Sequence, residues 1–298
     1  MAHELAYVNG KLVPVAEAVV PVHDRSFLYG DGAFDTAVAR RGRIFKLDEH
    51  VDRLLRSLRV LRIPPPLPRE ELREAALDLL RRNGMVDGFL RIVVSRGTCP
   101  YVSLDPRAVV GVPTLVMLTR PADPPANLAA IHGQPAGARA VTASVRKTPT
   151  TALESRVKSN NYLNSILARW EAIDAGVDEA ILLDARGCVT EGSGDNLFAV
   201  HGDRLLTPPA LNILEGVTRA TILALAPRAA LAAEERDLTP YDLYTADEVF
   251  LTSTVVSLMP IVELDGRPIG AGSIGPVARR LRALYEETVV AEGIPIAG

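Results

Sequence analysis

The 298-residue sequence predicts an α+β fold in two domains, and three observations carry that reading. Strand signals in the first half pair through tight turns with their neighbours, whereas an alternating α/β fold would follow each strand with a helix. Pro121–Pro135 holds four prolines without strong periodicity, the mark of a connection between folded parts. Beyond it, short strands follow one another through tight turns closely enough to suggest a small barrel or curled sheet. The boundaries so drawn are a small α+β domain at 1–122, a linker at 123–135 and a larger domain at 136–298. That length leaves room for two cores.

In order, Leu5–Val8 and Leu12–Val15 flank Asn9-Gly10, the strongest short hairpin signal. Residues 5–40 otherwise read as strands and turns, with Phe34–Arg40 returning through Arg41-Gly42-Arg43. From Leu47 the spacing of Leu54, Leu55, Leu58 and Leu61 is helical until Ile63-Pro64-Pro65-Pro66 stops it. Arg69–Asn83 is a second helix closed by Gly84, and Phe89–Ser95 and Leu115–Thr119 are strands. The second half opens with strand Ala138–Val145 and helix Asn161–Ala175, whose Leu163, Ile166, Leu167, Trp170 and Ile173 share one apolar face. Strands Ala180–Leu183, Cys188–Glu191, Leu197–Val200, Leu205–Thr207, Val249–Thr252 and Pro260–Leu264 follow. Helices are expected at Thr218–Leu225, after Thr239-Pro240 and at Pro276–Ala291.

Composition narrows the function classes. A net charge of −3 gives no electrostatic case for nucleic acid or an anionic membrane. Cys99 and Cys188 form no CxxC pair, which speaks against a disulfide scaffold or thiolate metal site and suits a reducing cytoplasm. The first residues lack a signal-peptide pattern, and no apolar run is long enough to span a bilayer. Of 33 basic residues only Lys11, Lys46, Lys147 and Lys158 are lysines, a bias that coding preference explains as readily as selection.

Arginine stays charged, whereas lysine can lose its proton and attack a carbonyl. Lys158, at the mouth of a marked helix, reads either as such an amine or as a solvated lysine. Leu214-Glu215-Gly216-Val217-Thr218-Arg219 places free N–H groups and a hydroxyl where a phosphate would fit, or is an ordinary helix start. Leu251-Thr252-Ser253-Thr254 adds hydroxyls at a strand end. In Thr190-Glu191-Gly192-Ser193-Gly194-Asp195-Asn196, Glu191 can hold a protonated ring nitrogen or simply belong to a polar turn. Arg53 reads as a forked phosphate donor or a solvated helix arginine. Together these form the set required by an aldehyde cofactor with a phosphate tail and a pyridine nitrogen.

The same residues resemble the class IV aminotransferases of fold type IV, which use pyridoxal 5′-phosphate. The resemblance runs in order through Tyr29-Gly30-Asp31-Gly32-Ala33-Phe34-Asp35, Glu49–Leu54, Lys158 with Ser159–Leu163, Glu191–Asn196, Glu215–Arg219 and Thr252–Thr254. It implies a small α+β N-terminal domain, a larger pseudo-barrel domain and a homodimer. By it, Lys158 would bind the cofactor as a Schiff base and shuttle the proton, Glu191 would pair with the ring nitrogen, and Tyr162 would meet the 3-oxygen. Arg53, Val217, Thr218 and Thr254 would hold the phosphate, with Gly216 and Ser253 on the same cofactor-binding segments and Asn196 supporting the ring. Tyr29, Phe34, Phe89, Arg91 and the backbone at Val255 would face a small-molecule amino donor or 2-oxo acid.

Within that family Phe89-Leu90-Arg91 is similar to the Tyr-x-Arg of branched-chain aminotransferases, with the hydroxyl missing. Tyr101-Val102-Ser103 stands where D-amino-acid aminotransferases carry Arg-x-His, and Thr36 resembles a threonine of the aminodeoxychorismate lyases. The expected function is branched-chain-like transamination, with those two activities as alternatives. A metabolite-binding protein without catalysis is the reading from another class, opposed by the presence of both Lys158 and Glu191.

Overall fold

A computed structural model describes residues 4–121 and 137–297. The expected linker, 123–135, lies outside the described residues. These fall into two units, one drawn from Met1–Asp123, Val157–Asn161 and Val289–Gly298, the other from Pro124–Arg156 and Tyr162–Thr288.

The first unit is built on a seven-stranded antiparallel sheet ordered Ile294–Pro295, Arg43–Ile44, Gly32–Arg40, Gly88–Ser95, Thr114–Pro121, Leu5–Val8 and Lys11–Pro14. Asn9 and Gly10, at φ 47° and 88°, take the left-handed conformations that a two-residue hairpin demands. Strand periodicity sends Ala33, Ala37, Ala39, Leu90, Ile92 and Val94 to one face. There they pack on helices Leu47–Leu61 and Arg69–Arg82 through Leu47, Val51, Leu54, Leu58, Leu72 and Leu79. Each fully buried leucine contributes about 1.5–3 kcal/mol. The first of these helices ends as expected, with Arg62 in the left-handed region just before Ile63-Pro64.

A short helix, Arg25–Tyr29, interrupts what reads in sequence as strands and turns. Five residues are too few to show a period, and its signal is the cap: Asp24 accepts from Ser26 N at 2.8 Å.

The second unit is a closed barrel with additions. Its six strands run Asn196–His201, Glu248–Ser253, Ser257–Leu264, Ala138–Thr142, Glu179–Leu183 and Val189–Gly192, and the ring closes where Glu191 pairs with Asn196. Leu197, Ala199, Val249, Leu251, Met259, Ile261 and Ile181 share its core. Alternate residues Phe198 and Phe250 stack on the other face, with ring centroids 5.3 Å apart. Strands Arg204–Thr207 and Ala232–Glu235 extend the sheet.

Val157–Asn161 groups with the first unit, where its backbone bonds to strand Gly32–Arg40: Phe34 N–H donates to Lys158 O at 2.9 Å and Asn160 N–H to Gly32 O at 3.0 Å. The helix Leu163–Asp174 forms, but its apolar stripe does not pack inward. Leu163, Ile166, Leu167, Trp170 and Ile173 are exposed, and the small Ala168 and Ala172 face the strands instead. Among the described residues no helix is long and apolar enough to cross a membrane, and no cluster of His, Cys, Asp or Glu has a metal-binding arrangement.

Candidate active site

In the first unit, Lys158 is set beside the sheet face opposite the helices. The register pairs Phe34 with Val93, Thr36 with Arg91 and Val38 with Phe89, so these side chains share that face. Lys158 Nζ lies 4.6 Å from the Phe34 ring centre, and the Arg91 guanidinium carbon 3.9 Å from it. Phe89 lies farther along, under Arg40 at 5.6 Å. Tyr29 ends the short helix, with the Arg25 guanidinium 5.1 Å from its ring. The close approach of the lysine segment explains Gly32, where a Cβ would meet Val94 O at 2.5 Å and Asn160 Nδ2 at 2.6 Å. Asp31 is structural: it holds both Arg25 and Arg96, at 2.7 and 2.8 Å.

On the helix-facing side, Asp35 meets Arg53 and His50 in a buried cluster. Arg53 forks onto it through Nε and Nη2, both at 2.8 Å, and His50 Nδ1 donates at 2.7 Å. Thr36 N–H adds a further donor at 2.7 Å. Burial by itself raises an acid, but the charges of Arg53 and His50 prevail and hold Asp35 far below the usual carboxylate range. Burial prevails at His50, whose imidazole is pushed below its ordinary value despite Asp35. Ser57 links this cluster to the lysine: its hydroxyl donates to Arg53 O at 3.0 Å and accepts from Lys158 N–H at 3.2 Å.

The second unit carries the acid. Glu191 is buried where the barrel closes, and three donors converge on its carboxylate. Lys147 Nζ reaches Oε1 at 2.5 Å, while Asn196 Nδ2 and Leu214 N–H reach Oε2, each at 3.2 Å. Asn196 also donates to Leu214 O at 3.0 Å. Gly216 lies against it so closely that a Cβ would fall 2.0 Å from Asn196 Oδ1. Gly216 caps helix Val217–Leu225 without a side-chain hydrogen bond to the first turn. Thr218 is buried with its hydroxyl 3.3 Å from that of Tyr285. Ser253, Thr254 and Val255 follow Thr252 around the turn between strands Glu248–Ser253 and Ser257–Leu264. Thr252 pairs with Asn196, and its hydroxyl is buried without a partner among the described residues. Tyr162 stands at the start of helix Leu163–Asp174.

The structure thus groups Lys158, Phe34 and Arg91 in one unit, and Glu191, Asn196 and Gly216 in the other. Arg53 grips Asp35 in a way its sequence position did not suggest. Four participants were missed as such: Asp35, His50, Ser57 and Lys147. The scarcity of lysine that singled out Lys158 applies equally to Lys147, while Lys46 pairs at the surface with Glu49 and Glu292.

A small α+β unit together with a separate closed barrel is the architecture of the fold type IV aminotransferases. Residues 32–264 match the family described as amino-transferase class IV, and the chain belongs to it. A branched-chain-amino-acid aminotransferase of Pseudomonas aeruginosa is 34% identical over 95% of this chain and 92% of its own. The D-alanine aminotransferase of Bacillus licheniformis is 31% identical, over 95% and 96%. The crystal structure of the branched-chain aminotransferase of Thermoproteus uzoniensis with norvaline superposes with a TM-score of 0.88 at 34% identity, covering 97% of this chain and 95% of that one. The holo form of the Thermobaculum terrenum branched-chain amino acid aminotransferase, which carries pyridoxal 5′-phosphate, superposes with a TM-score of 0.85 at 28% identity, over 98% and 95%.

Proposed function

We propose that the chain is a pyridoxal 5′-phosphate-dependent aminotransferase of the branched-chain type, moving an amino group between an amino acid and a 2-oxo acid. The observation that carries this reading is Lys158, an amine placed over Phe34 beside the Arg91 guanidinium. The donor set suits the cofactor. A carboxylate has about four acceptor positions, and Glu191 has three donors, which leaves one for a protonated ring nitrogen. The helix at Gly216 offers first-turn N–H groups unclaimed by a capping side chain, as a phosphate requires, and the buried Thr252 hydroxyl adds a polar group beside Asn196.

When bound, the cofactor supplies an aldehyde for the amine and a protonated ring that draws electrons from the substrate Cα. The residues then have separate tasks. Lys158 Nζ takes and returns the proton at Cα, and Glu191 keeps the proton on the ring nitrogen. In this reading Tyr162 would meet the 3-oxygen, and Arg53, Val217, Thr218 and Thr254 would hold the phosphate; Arg53 is oriented by its fork to Asp35. Arg91, over Phe34, is suited to a substrate carboxylate, and Tyr29, Phe89 and the backbone at Val255 are the other residues assigned to the substrate in this reading. The likeness to a D-alanine aminotransferase favours D-type specificity as the second reading.

The exposed face of Leu163, Ile166, Leu167, Trp170 and Ile173 supports a homodimer, since an apolar stripe of this size calls for cover. A cytoplasmic location fits the two free cysteines.

Purified protein is to be loaded with pyridoxal 5′-phosphate and given L- and D-amino donors with 2-oxoglutarate or pyruvate. Turnover of L-leucine, L-isoleucine or L-valine is expected. Strict D-preference would establish the second reading, and release of pyruvate from aminodeoxychorismate would establish a lyase. Lys158→Ala should lose at least about 100-fold in turnover, and Lys158→Arg should not restore it. Native turnover in Lys158→Ala would overturn the role of the amine.

A further inference from the structure

Glu191 does not wait alone for the ring nitrogen. Lys147 N–H donates to Leu183 O at 2.9 Å, which lays the residue along strand Glu179–Leu183. The neighbouring antiparallel strand, Val189–Gly192, carries Glu191. The Lys147 ammonium consequently reaches Oε1 at 2.5 Å, and both side chains are largely withdrawn from solvent, at 17% and 9% exposure. Burial alone would make this amine easier to deprotonate, but the Glu191 charge outweighs burial and the net shift is upward, so Lys147 stays a cation.

We infer that Lys147 is a positioning residue that sets, through Glu191, how firmly the site holds a proton on the cofactor's ring nitrogen; the inference rests on the cofactor assignment proposed above. A single carboxylate shared by two cations attracts each less than it would attract one alone. Lys147 also repels a second positive charge brought to the same carboxylate. Asn196 and Leu214 fix Oε2 with neutral donors and add no charge. Wild-type Glu191 is thereby a moderated partner for the ring nitrogen: fixed at both oxygens and already shared with one cation. Removing the ammonium while keeping the stem should leave the ring proton as the only cation on the carboxylate and strengthen that contact.

The test compares binding of pyridoxal 5′-phosphate with that of its 1-deaza analogue, in which a C–H replaces the ring nitrogen. Dissociation constants for both, measured by calorimetry on the cofactor-free full-length protein, give a preference ratio. A merely structural change shifts both constants together and leaves the ratio alone. In Lys147→Met the preference for the nitrogen-bearing cofactor should rise about tenfold, one pKa unit's worth of interaction. Lys147→Arg, which keeps a charge, should stay near the wild-type ratio, and Glu191→Gln should erase most of the preference. A ratio in Lys147→Met equal to or below that of wild type overturns the inference, with the cofactor assignment intact. Failure of the wild-type protein to bind either molecule would instead refute that assignment, and the inference with it.

Discussion

Replacing Asp35 by asparagine changes one atom's chemistry and almost no volume, so its effect isolates charge. The native carboxylate is 1% exposed and receives four hydrogen bonds, two of them from an Arg53 that is itself 4% exposed. In Asp35→Asn the guanidinium keeps its buried charge and loses its counterion, and the new amide turns an N–H₂ toward donors. Breaking a buried ion pair by removing one partner costs about 3–5 kcal/mol, a large share of the roughly 5–15 kcal/mol that holds an average domain together. Urea unfolding of the cofactor-free protein, followed by far-ultraviolet circular dichroism, measures it. The single tryptophan, Trp170, belongs to the other unit, so its fluorescence is not a direct probe of the cluster. The double replacement Asp35→Leu with Arg53→Met removes both charges and should recover most of the loss. A cost below about 1 kcal/mol, as for an exposed pair, or a double variant no better than the single one, would refute the argument.

Acid sensitivity follows from the same cluster. Because the folded state lowers the values of both His50 and Asp35, each contributes stability that is complete above its ordinary value and is lost as the pH falls. The urea midpoint should decline first below about pH 6.5 and again below about pH 3.9, and His50→Gln should flatten the first decline; an unchanged profile in that variant would exclude His50 as its source. For the proposed homodimer, Ile166→Glu with Trp170→Glu should yield a monomer in sedimentation velocity, and an unaltered mass would show that another surface makes the contact.

What the sequence revealed depended on the range of the interaction. The hairpin at Asn9-Gly10 and the helix from Leu47 were legible because turn chemistry and apolar spacing are local. Helix Arg25–Tyr29 was not, being too short for a period, and neither was strand Ala232–Glu235, all of whose residues are exposed and show no alternation. Lys158 and Glu191 were singled out through a chain of motifs, whereas the contacts from Lys147 to Glu191 and from Arg53 to Asp35 join residues 44 and 18 positions apart. The helix stripe at Leu163–Ile173 shows the reverse failure: periodicity located the apolar face correctly, but the unit's own core lies behind the alanines.

The barrel's ring of strands is fastened by one residue pair, Glu191 opposite Asn196. Those two side chains are also the ones proposed for the cofactor's ring, so in that reading the clasp of the hoop is also the seat of the cofactor. Closing the hoop brings together the carboxylate, its amide neighbour and the loop before Gly216, and whatever binds there holds the hoop shut. Occupancy should then act as a mechanical brace, resisting the opening of this seam by RT ln(1 + [L]/Kd), about 2.7 kcal/mol at a hundredfold excess over Kd. A barrel cut elsewhere around its circumference would lose strands, but one that gapes at this seam loses its chemistry first.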